Sequence, residues 1–326
     1  MLLHGANGAG KTNLLEALHV GTQGFSPRSR RDGTMIRFDA NAARIQLSGS
    51  LGHNAFATDV VLARHDTRRI ELNGERLNSG DRLRRELTTL VFTPDRLAVV
   101  KGGPATRRAY LDRAVGRLLP ARASLANEYA SAVGQRNAGL RRVRWGSSTR
   151  AALEPWTDKV VELGAALVLA RLAAIELLAA PFARSAGELG LDAAALRYEG
   201  ETPTASDLAS RFEADLERGV TSLGPHLHDL RIEAGGRDLR SFGSQGEQRM
   251  AVLALVLAEA AALRERATFS PLVLLDDVLS ELDGDRRRSL AHMLERGLQT
   301  VVTATAASAL PIEPAQALAV TPGQVR

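Results

Sequence analysis

Gly5-Ala6-Asn7-Gly8-Ala9-Gly10-Lys11-Thr12 is a G-x-x-x-x-G-K-T sequence near the start of the chain. Its glycines let the backbone curl so that successive N–H groups converge on one point, where phosphate oxygens fit. Leu14, Leu15 and Leu18 lie at helical spacing, so a helix begins near Lys11 and adds its positive end to the same point. Lys11 supplies a compact charge for β- and γ-phosphates, and Thr12 a hydroxyl for Mg²⁺. Met1–His4 reads as the end of a strand, so strand, glycine turn and helix follow in the order a phosphate loop requires. The nucleotide-binding residues are then Gly5, Ala6, Asn7, Gly8, Ala9, Gly10, Lys11 and Thr12, with ATP and Mg²⁺ as cofactors.

A second signal lies far along the chain, at Pro271-Leu272-Val273-Leu274-Leu275-Asp276-Asp277. Four apolar residues ending in two acids describe a buried strand that delivers carboxylates at its C-terminal edge, where open α/β sheets bind ligands. Asp276 then holds Mg²⁺ with Thr12, and Asp277 orients or deprotonates an attacking water. Lys11, Asp276 and Asp277 are the candidate catalytic residues. In Ser241-Phe242-Gly243-Ser244-Gln245-Gly246-Glu247-Gln248-Arg249 a Ser hydroxyl and free N–H groups open a long apolar helix. This is either a second anion site, meeting the nucleotide of another protomer, or a plain capping box of Ser244 with Glu247. Ser280-Glu281-Leu282-Asp283 has the same ambiguity: Asp283 caps the next helix, or the segment is a loop at a dimer interface.

The fold class expected is α/β, a P-loop ATPase head with an inserted, mainly helical lobe. Strand patterns fall at Arg44–Leu47, Asp59–Leu62, Thr89–Phe92, Leu230–Glu233, Leu272–Leu275, Thr300–Val302 and Leu318–Val320. Asn73-Gly74 suits a two-residue hairpin turn. From about Ala105 the chain becomes rich in Ala, Leu and Arg, which divides it into residues 1–104, an inserted helical lobe at 105–222, and residues 223–326.

Composition narrows the function. Of 326 residues, 42 are basic and 37 acidic, a net charge of +5 that fits a polyanion partner without demanding one. Only three of the basic residues are lysines (Lys11, Lys101 and Lys159), so each stands out in a chain that otherwise uses arginine. Lys101 with Arg107 and Arg108 forms a phosphate-contacting patch or a solvated helix face. Arg141-Arg142-Val143-Arg144-Trp145 contacts DNA backbone or is an exposed helix end. There is no cysteine, which excludes disulfides, thiolate metal sites and cysteine nucleophiles. Polar groups interrupt the apolar runs, so no membrane-spanning segment is expected and a reducing cytoplasm is the expected location.

Together these motifs resemble the ATP-binding-cassette ATPases of the chromosome-maintenance and DNA-repair branch. Ser244-Gln245-Gly246-Glu247-Gln248 resembles their signature motif, acting in trans, and Ser280–Asp283 their D-loop. Finer matches narrow the resemblance to the RecF family of bacterial recombination mediators. They are Lys11-Thr12-Asn13-Leu14-Leu15-Glu16-Ala17, Val91-Phe92-Thr93-Pro94-Asp95-Arg96-Leu97, Val100-Lys101-Gly102-Gly103-Pro104, Arg107-Arg108-Ala109-Tyr110-Leu111-Asp112, Gly224-Pro225-His226 and Leu275–Asp283. The resemblance runs from residue 1 to about 305 and rests on the order and spacing of several motifs. It implies an ATP-dependent homodimer that clamps duplex DNA near single-strand gaps, a weak DNA-dependent ATPase whose slow hydrolysis releases the DNA, and the partners RecR and RecO.

Three departures accompany it. The family has strands ahead of the phosphate loop where this chain has only Met1–His4, so the chain is expected to start late. Leu227-His228-Asp229 replaces the usual Arg-Asp-Asp, and His226 and His228 lie beside only one acid, Asp229, with no further clear ligand for a metal. Thr93 and Thr303 or Thr305 stand where the wider cassette family carries Gln and His. The competing readings are a nucleotide-binding subunit of another cassette machine and an inactive truncated remnant.

Overall fold

The computed structural model describes residues 1–29, 31–266, 270–295 and 297–326, and the Asp95 side chain is outside that description. In chain order the elements begin β1 (Leu2–His4), α1 (Lys11–Gln23), β2 (Ala42–Leu51), β3 (Asn54–Ala63), β4 (Arg69–Leu72), β5 (Glu75–Leu77), α2 (Asp81–Glu86), β6 (Thr89–Phe92), α3 (Ala98–Lys101), α4 (Pro104–Leu118), α5 (Leu125–Arg144) and α6 (Glu154–Glu188). They continue β7 (Ala195–Glu199), α7 (Ala205–Ser210), α8 (Phe212–Arg218), β8 (Asp229–Ala234), β9 (Arg237–Asp238), α9 (Leu239–Phe242), α10 (Gln245–Arg266), β10 (Leu272–Leu275), α11 (Gly284–Glu295), β11 (Gln299–Ala304), β12 (Ala317–Thr321) and β13 (Gln324–Val325). The chain forms two compact units, one of Met1–Leu97, Ser185–Leu191 and Arg249–Arg326, the other of Ala98–Arg184 and Asp192–Gln248.

The first unit is built on a sheet in the order β13-β12-β1-β11-β10-β6, parallel from β12 to β6. Parallel strands must be covered on both faces, which is why β10 reads as an unbroken apolar run and β6 as one broken only by Thr89. Leu3, Leu15, Val91, Leu274, Val301 and Val320 form the core beneath the glycine turn. A second, antiparallel sheet, β2-β3-β4-β5, packs Val60, Leu62, Ile70 and Leu72 around Val20 of α1. Helix and sheet approach closely at Gly21, where a Cβ would stand 2.2 Å from Leu47 Cδ1. The β4–β5 hairpin turns on Asn73 (φ 52°) and Gly74 (φ 82°), the left-handed pair that a two-residue turn requires.

The second unit is mainly helical and also holds the antiparallel sheet β7-β8-β9. Its helices α4, α5 and α6 each carry an arginine on the buried stripe, and each arginine meets an acid from another element. Arg107 binds Asp229 (2.6 Å), Arg136 binds Asp215 (2.8 Å) and Arg171 binds Asp112 (2.8 Å). The Arg136–Asp215 pair is the most enclosed, with side chains 1% and 0% exposed. Thr221 Oγ1 accepts from the same guanidinium at 2.8 Å, and Asp215 accepts from Ser222 N at 3.0 Å. Removing one member strands a buried charge, so Asp215→Ala is expected to cost about 3–5 kcal/mol. Both tryptophans, Trp145 and Trp156, lie in this unit. Their fluorescence during urea unfolding therefore reads it selectively, and an unchanged midpoint would contradict the expected loss.

One expectation is corrected. The stretch Ala151–Glu188 is long and apolar enough to cross a membrane on length and composition alone. Between Glu162 and Arg184 only Arg171 and Glu176 carry charge, too few to interrupt the run. Its residues Val160, Leu163, Leu167, Ala174, Leu178 and Phe182 are buried in the protein, and Arg171 is held by Asp112 and by the Pro225 carbonyl.

Candidate functional site

The glycine turn leaves β1 at the C-terminal edge of the parallel sheet and enters α1 through Gly10. Gly5 lies so close to β12 that a Cβ would stand 2.2 Å from the Val320 carbonyl oxygen. Gly8 and Gly10 take the left-handed backbone, at φ 79° and 102°, and a Cβ on either would meet nothing within 4 Å. Gly10 caps α1 without a side-chain hydrogen bond, so the first-turn N–H groups are left to a ligand. Lys11 folds back over the turn, and its Nζ donates to the carbonyls of Gly5 (2.7 Å) and Ala6 (3.0 Å). Ala6, Asn7 and Gly8 are exposed at the rim, while Ala9 is buried beneath.

The acidic pair arrives from a residue almost at the other end of the chain. β10 lies between β6 and β11, and Asp276 follows its last residue. Thr12 Oγ1 donates to Asp276 Oδ1 at 3.1 Å, which joins the two motifs across 264 residues of sequence. On the neighbouring strand, the fully buried Thr303 donates its hydroxyl to the same oxygen at 2.8 Å. Thr303 Oγ1 also accepts from the Asp277 N–H at 2.8 Å. Asp277 has φ 50°, a left-handed conformation that strains a residue with a Cβ. Thr93, one residue past β6, is 2% exposed, and its hydroxyl has no hydrogen-bond partner among the described residues. The β6–β10 register puts it beside Asp276, whose N–H donates to the Phe92 carbonyl at 3.0 Å.

This donor set fits a nucleotide with Mg²⁺. The loop offers N–H groups and one ammonium to phosphates, Thr12 and Asp276 offer hard oxygens to the metal, and Thr93 keeps an unspent buried hydroxyl beside them. Mg²⁺ commonly takes one or two protein ligands and fills the rest with phosphate oxygen and water. Among the described residues there is no cluster of three His, Asp or Glu side chains for a metal. His226 and His228 lie in the turn before β8, not on the strand. His226 binds Tyr129 (2.8 Å) and the Thr221 carbonyl (3.0 Å), and His228 binds Tyr198 (2.9 Å). Burial, with the nearby Arg171, pushes His228 down to about 4, so the imidazole standing where the resembled pattern has an acid is neutral at pH 7.

The remaining candidates divide. Ser244 opens α10 as a capping box: its Oγ accepts from Glu247 N at 3.2 Å, and Glu247 accepts from Ser244 N at 2.7 Å. Ser244, Gln245 and Gly246 are nonetheless exposed, next to Phe242 at 69% exposure. In the other segment, Ser280 donates to the Asp277 carbonyl at 2.9 Å, Glu281 binds Arg249, Leu282 is buried, and Asp283 caps α11 by accepting from Arg286 N at 2.9 Å. Lys101 is exposed at the end of α3. Arg107 is not available as a surface cation: it is 4% exposed and is spent on Asp229 and on the Gly102 carbonyl. Arg108 is half-buried and donates to the His228 carbonyl at 2.7 Å. Arg141, Arg142 and Arg144 are exposed in the last turn of α5, beside Trp145 at 76% exposure. In the sequence Thr303 stands out only as one of two threonines, with Thr305, at the position where the wider cassette family carries His. The signal available was a threonine inside the apolar run Val301-Val302-Thr303-Ala304, where a buried hydroxyl needs partners.

The model of the RecF/RecN/SMC N-terminal domain matches residues 1–321 of the chain. The DNA replication and repair protein RecF of Heliobacterium modesticaldum is 37% identical over 317 residues, covering 92% of this chain and 85% of that one. The chain belongs to the RecF family. Members of that family are DNA replication and repair proteins, and the RecF protein of Bacillus subtilis is 33% identical over the same shares of the two chains. A solved structure of the recombination mediator protein RecF with ATP, in the RecFOR pathway, superposes with a TM-score of 0.84 at 26% identity, covering 100% of this chain and 90% of that one. An Smc head domain from Pyrococcus furiosus shares the fold at 17% identity, with a TM-score of 0.58. The α/β cassette-type head and the RecF resemblance read from the motifs are therefore both borne out.

Proposed function

We propose that this RecF-family protein is an ATP-switched DNA-binding protein of recombinational gap repair and replication restart. It forms a homodimer around ATP, clamps duplex DNA near single-strand gaps, and releases it on slow hydrolysis. The observation that carries this reading is the contact of Thr12 with Asp276, reinforced by Thr303, directly beneath a loop on which Lys11 is already folded. Mg²⁺ bound with ATP supplies charge neutralisation at the phosphate oxygens. Gly8, Gly10 and the first turn of α1 bind and orient the phosphates, and Lys11 follows the charge that develops on them. Thr12 and Asp276 hold the metal, and Asp277 aligns the attacking water and takes its proton.

The exposed Ser244-Gln245-Gly246 edge supports a role in trans, at the nucleotide of a second copy, and Ser280–Asp283 is proposed as a D-loop at a dimer interface. RecR and RecO are the proposed protein partners, the cytoplasm is the proposed location, and no membrane takes part. Lys101, Arg141, Arg142 and Arg144 are the proposed contacts to DNA phosphates. In the last turn of α5 the three arginines also complement the helix dipole.

Binding of gapped duplex DNA across a salt series, with and without Mg·ATP, tests the function. Affinity is expected to rise with Mg·ATP and fall with salt. Each lost phosphate contact removes about 0.9 from the log–log salt slope, so Arg142→Ala with Arg144→Ala is expected to flatten it by about 1.8. DNA binding indifferent to ATP would overturn the switch, and an unchanged slope would remove these arginines from the DNA surface.

A further inference from the structure

We propose that Thr303 is a positioning residue for the acidic pair: one buried hydroxyl sets the Asp276 carboxylate for the metal and the Asp277 backbone for the attacking water. This rests on the ATP and Mg²⁺ reading above and adds to it a residue outside the phosphate loop and outside the acidic segment.

The bonding directions follow from chemistry. A carboxylate accepts only and an N–H donates only, so the single Thr303 proton goes to Asp276 Oδ1 and its lone pair takes the Asp277 N–H. The hydroxyl cannot turn without losing one of the two. Asp276 Oδ1 then holds two donors, Thr303 at 2.8 Å and Thr12 at 3.1 Å, which use its two lone-pair directions. Oδ2 accepts no hydrogen bond among the described residues, and it is the oxygen left to face a metal. Thr303 therefore selects which carboxylate oxygen is available before any metal arrives.

The second bond acts on the backbone. Asp277 is held left-handed at φ 50°, and the N–H bond to Thr303 offsets part of that cost. Its carbonyl also accepts the Ser280 hydroxyl at 2.9 Å. Both peptide groups flanking the Asp277 side chain are thus tied, one to β11 and one to the following turn. Thr303 couples the metal side of the site to the water side through one atom, at a position 0% exposed.

A packing role and a positioning role predict opposite rankings. Thr303→Val keeps the shape and deletes the hydroxyl, whereas Thr303→Ser keeps the hydroxyl and deletes the methyl. The probe is Mn²⁺ dependence of binding of a fluorescent ATP analogue to the full chain, with metal-free binding of the analogue in chelator as the control. Partners that orient a metal ligand contribute about 10- to 100-fold to metal affinity. In Thr303→Val the Mn²⁺ concentration for half-maximal binding is therefore expected to rise at least about tenfold, with metal-free binding unchanged. Thr303→Ser is expected to stay near the unaltered protein. Should the Val variant not fold, Thr303→Ser against Thr303→Ala carries the same comparison. A Val variant that matches the unaltered chain, or a Ser variant that performs worse than Val, overturns the inference while leaving the ATP reading intact. If the unaltered chain shows no metal-dependent nucleotide binding, the phosphate-loop reading falls and this inference with it.

Discussion

Lys11→Ala is expected to lower ATP turnover by about 10²–10³-fold and to remove the effect of ATP on DNA binding. Lys11 is 8% exposed, and its ammonium lies 2.7 Å from the Gly5 carbonyl oxygen and 3.0 Å from that of Ala6. On the proposed reading, that position keeps a charge at the turn where phosphate oxygens bind. Alanine removes the charge and two hydrogen bonds to the turn, whose residues Ala6, Asn7 and Gly8 are exposed, so the cost to the fold is expected to be small. A stable variant with intact secondary structure is therefore expected, and that separates loss of function from loss of fold. Turnover followed by phosphate release, beside gapped-DNA affinity with and without Mg·ATP, checks both halves. Turnover at the level of the unaltered chain would remove Lys11 from the mechanism. Residual DNA binding that no longer responds to ATP is the expected signature.

The glycine turn and the acidic strand end were legible in the sequence because their geometry is local. A glycine turn needs its glycines in consecutive register, and a buried parallel strand must be apolar until it reaches the edge where it may turn polar. Thr89–Phe92 and Leu272–Leu275 accordingly appear as strands with the bounds their apolar runs suggest. Asn73-Gly74 was legible for the same reason, since a two-residue turn demands positive φ at both positions. What stayed hidden depends on partners distant in sequence. β7 is short, and the alternation of Leu196 and Tyr198 makes sense only once β8 lies beside it. The clamp by Thr303 requires knowing that β11 neighbours β10. The arginines are the more instructive case. Arg107 lies on the same helical face as Tyr110, Leu111 and Ala114, and Arg136 on that of Tyr129, Val133 and Leu140, all of them buried. Spacing places them on the core stripe, yet charge suggests solvent. Burial wins because each finds an aspartate, and no local pattern names that aspartate. An arginine on an apolar stripe is thus better read as half of a buried pair than as a surface cation, whereas Arg142, off that stripe, is exposed, and Arg144, one turn past Leu140, is exposed because the helix ends there.

Ser244→Arg is expected to abolish ATP-dependent dimerisation while leaving nucleotide binding by the single chain intact. Two roles meet at this residue. In the isolated chain Ser244 and Glu247 cap α10 reciprocally, at 3.2 and 2.7 Å. In the proposed dimer the exposed Ser244-Gln245-Gly246 edge approaches the nucleotide held by the partner's phosphate loop, with the exposed Phe242 beside it. The two roles are separable by size. Ser244→Ala removes the cap alone, at a cost of about 0.5–2 kcal/mol to α10, and leaves the edge small enough for close approach. Ser244→Arg loses the same cap and also fills the space a partner would need with a long side chain. If capping were the residue's whole purpose, the two variants would lose stability alike and dimerise alike. If the edge is an interface, only Arg blocks association, and it does so at protein concentrations where Ala still dimerises. Sedimentation of the 34.9 kDa chain with and without Mg·ATP reads this directly. The unaltered chain is expected to double in mass with Mg·ATP, Ser244→Ala to follow at higher concentration, and Ser244→Arg to stay monomeric. A dimer that forms equally without ATP would keep the family and the fold but remove nucleotide as the element that closes the pair, and a Ser244→Arg chain that still dimerises on ATP would place the interface elsewhere.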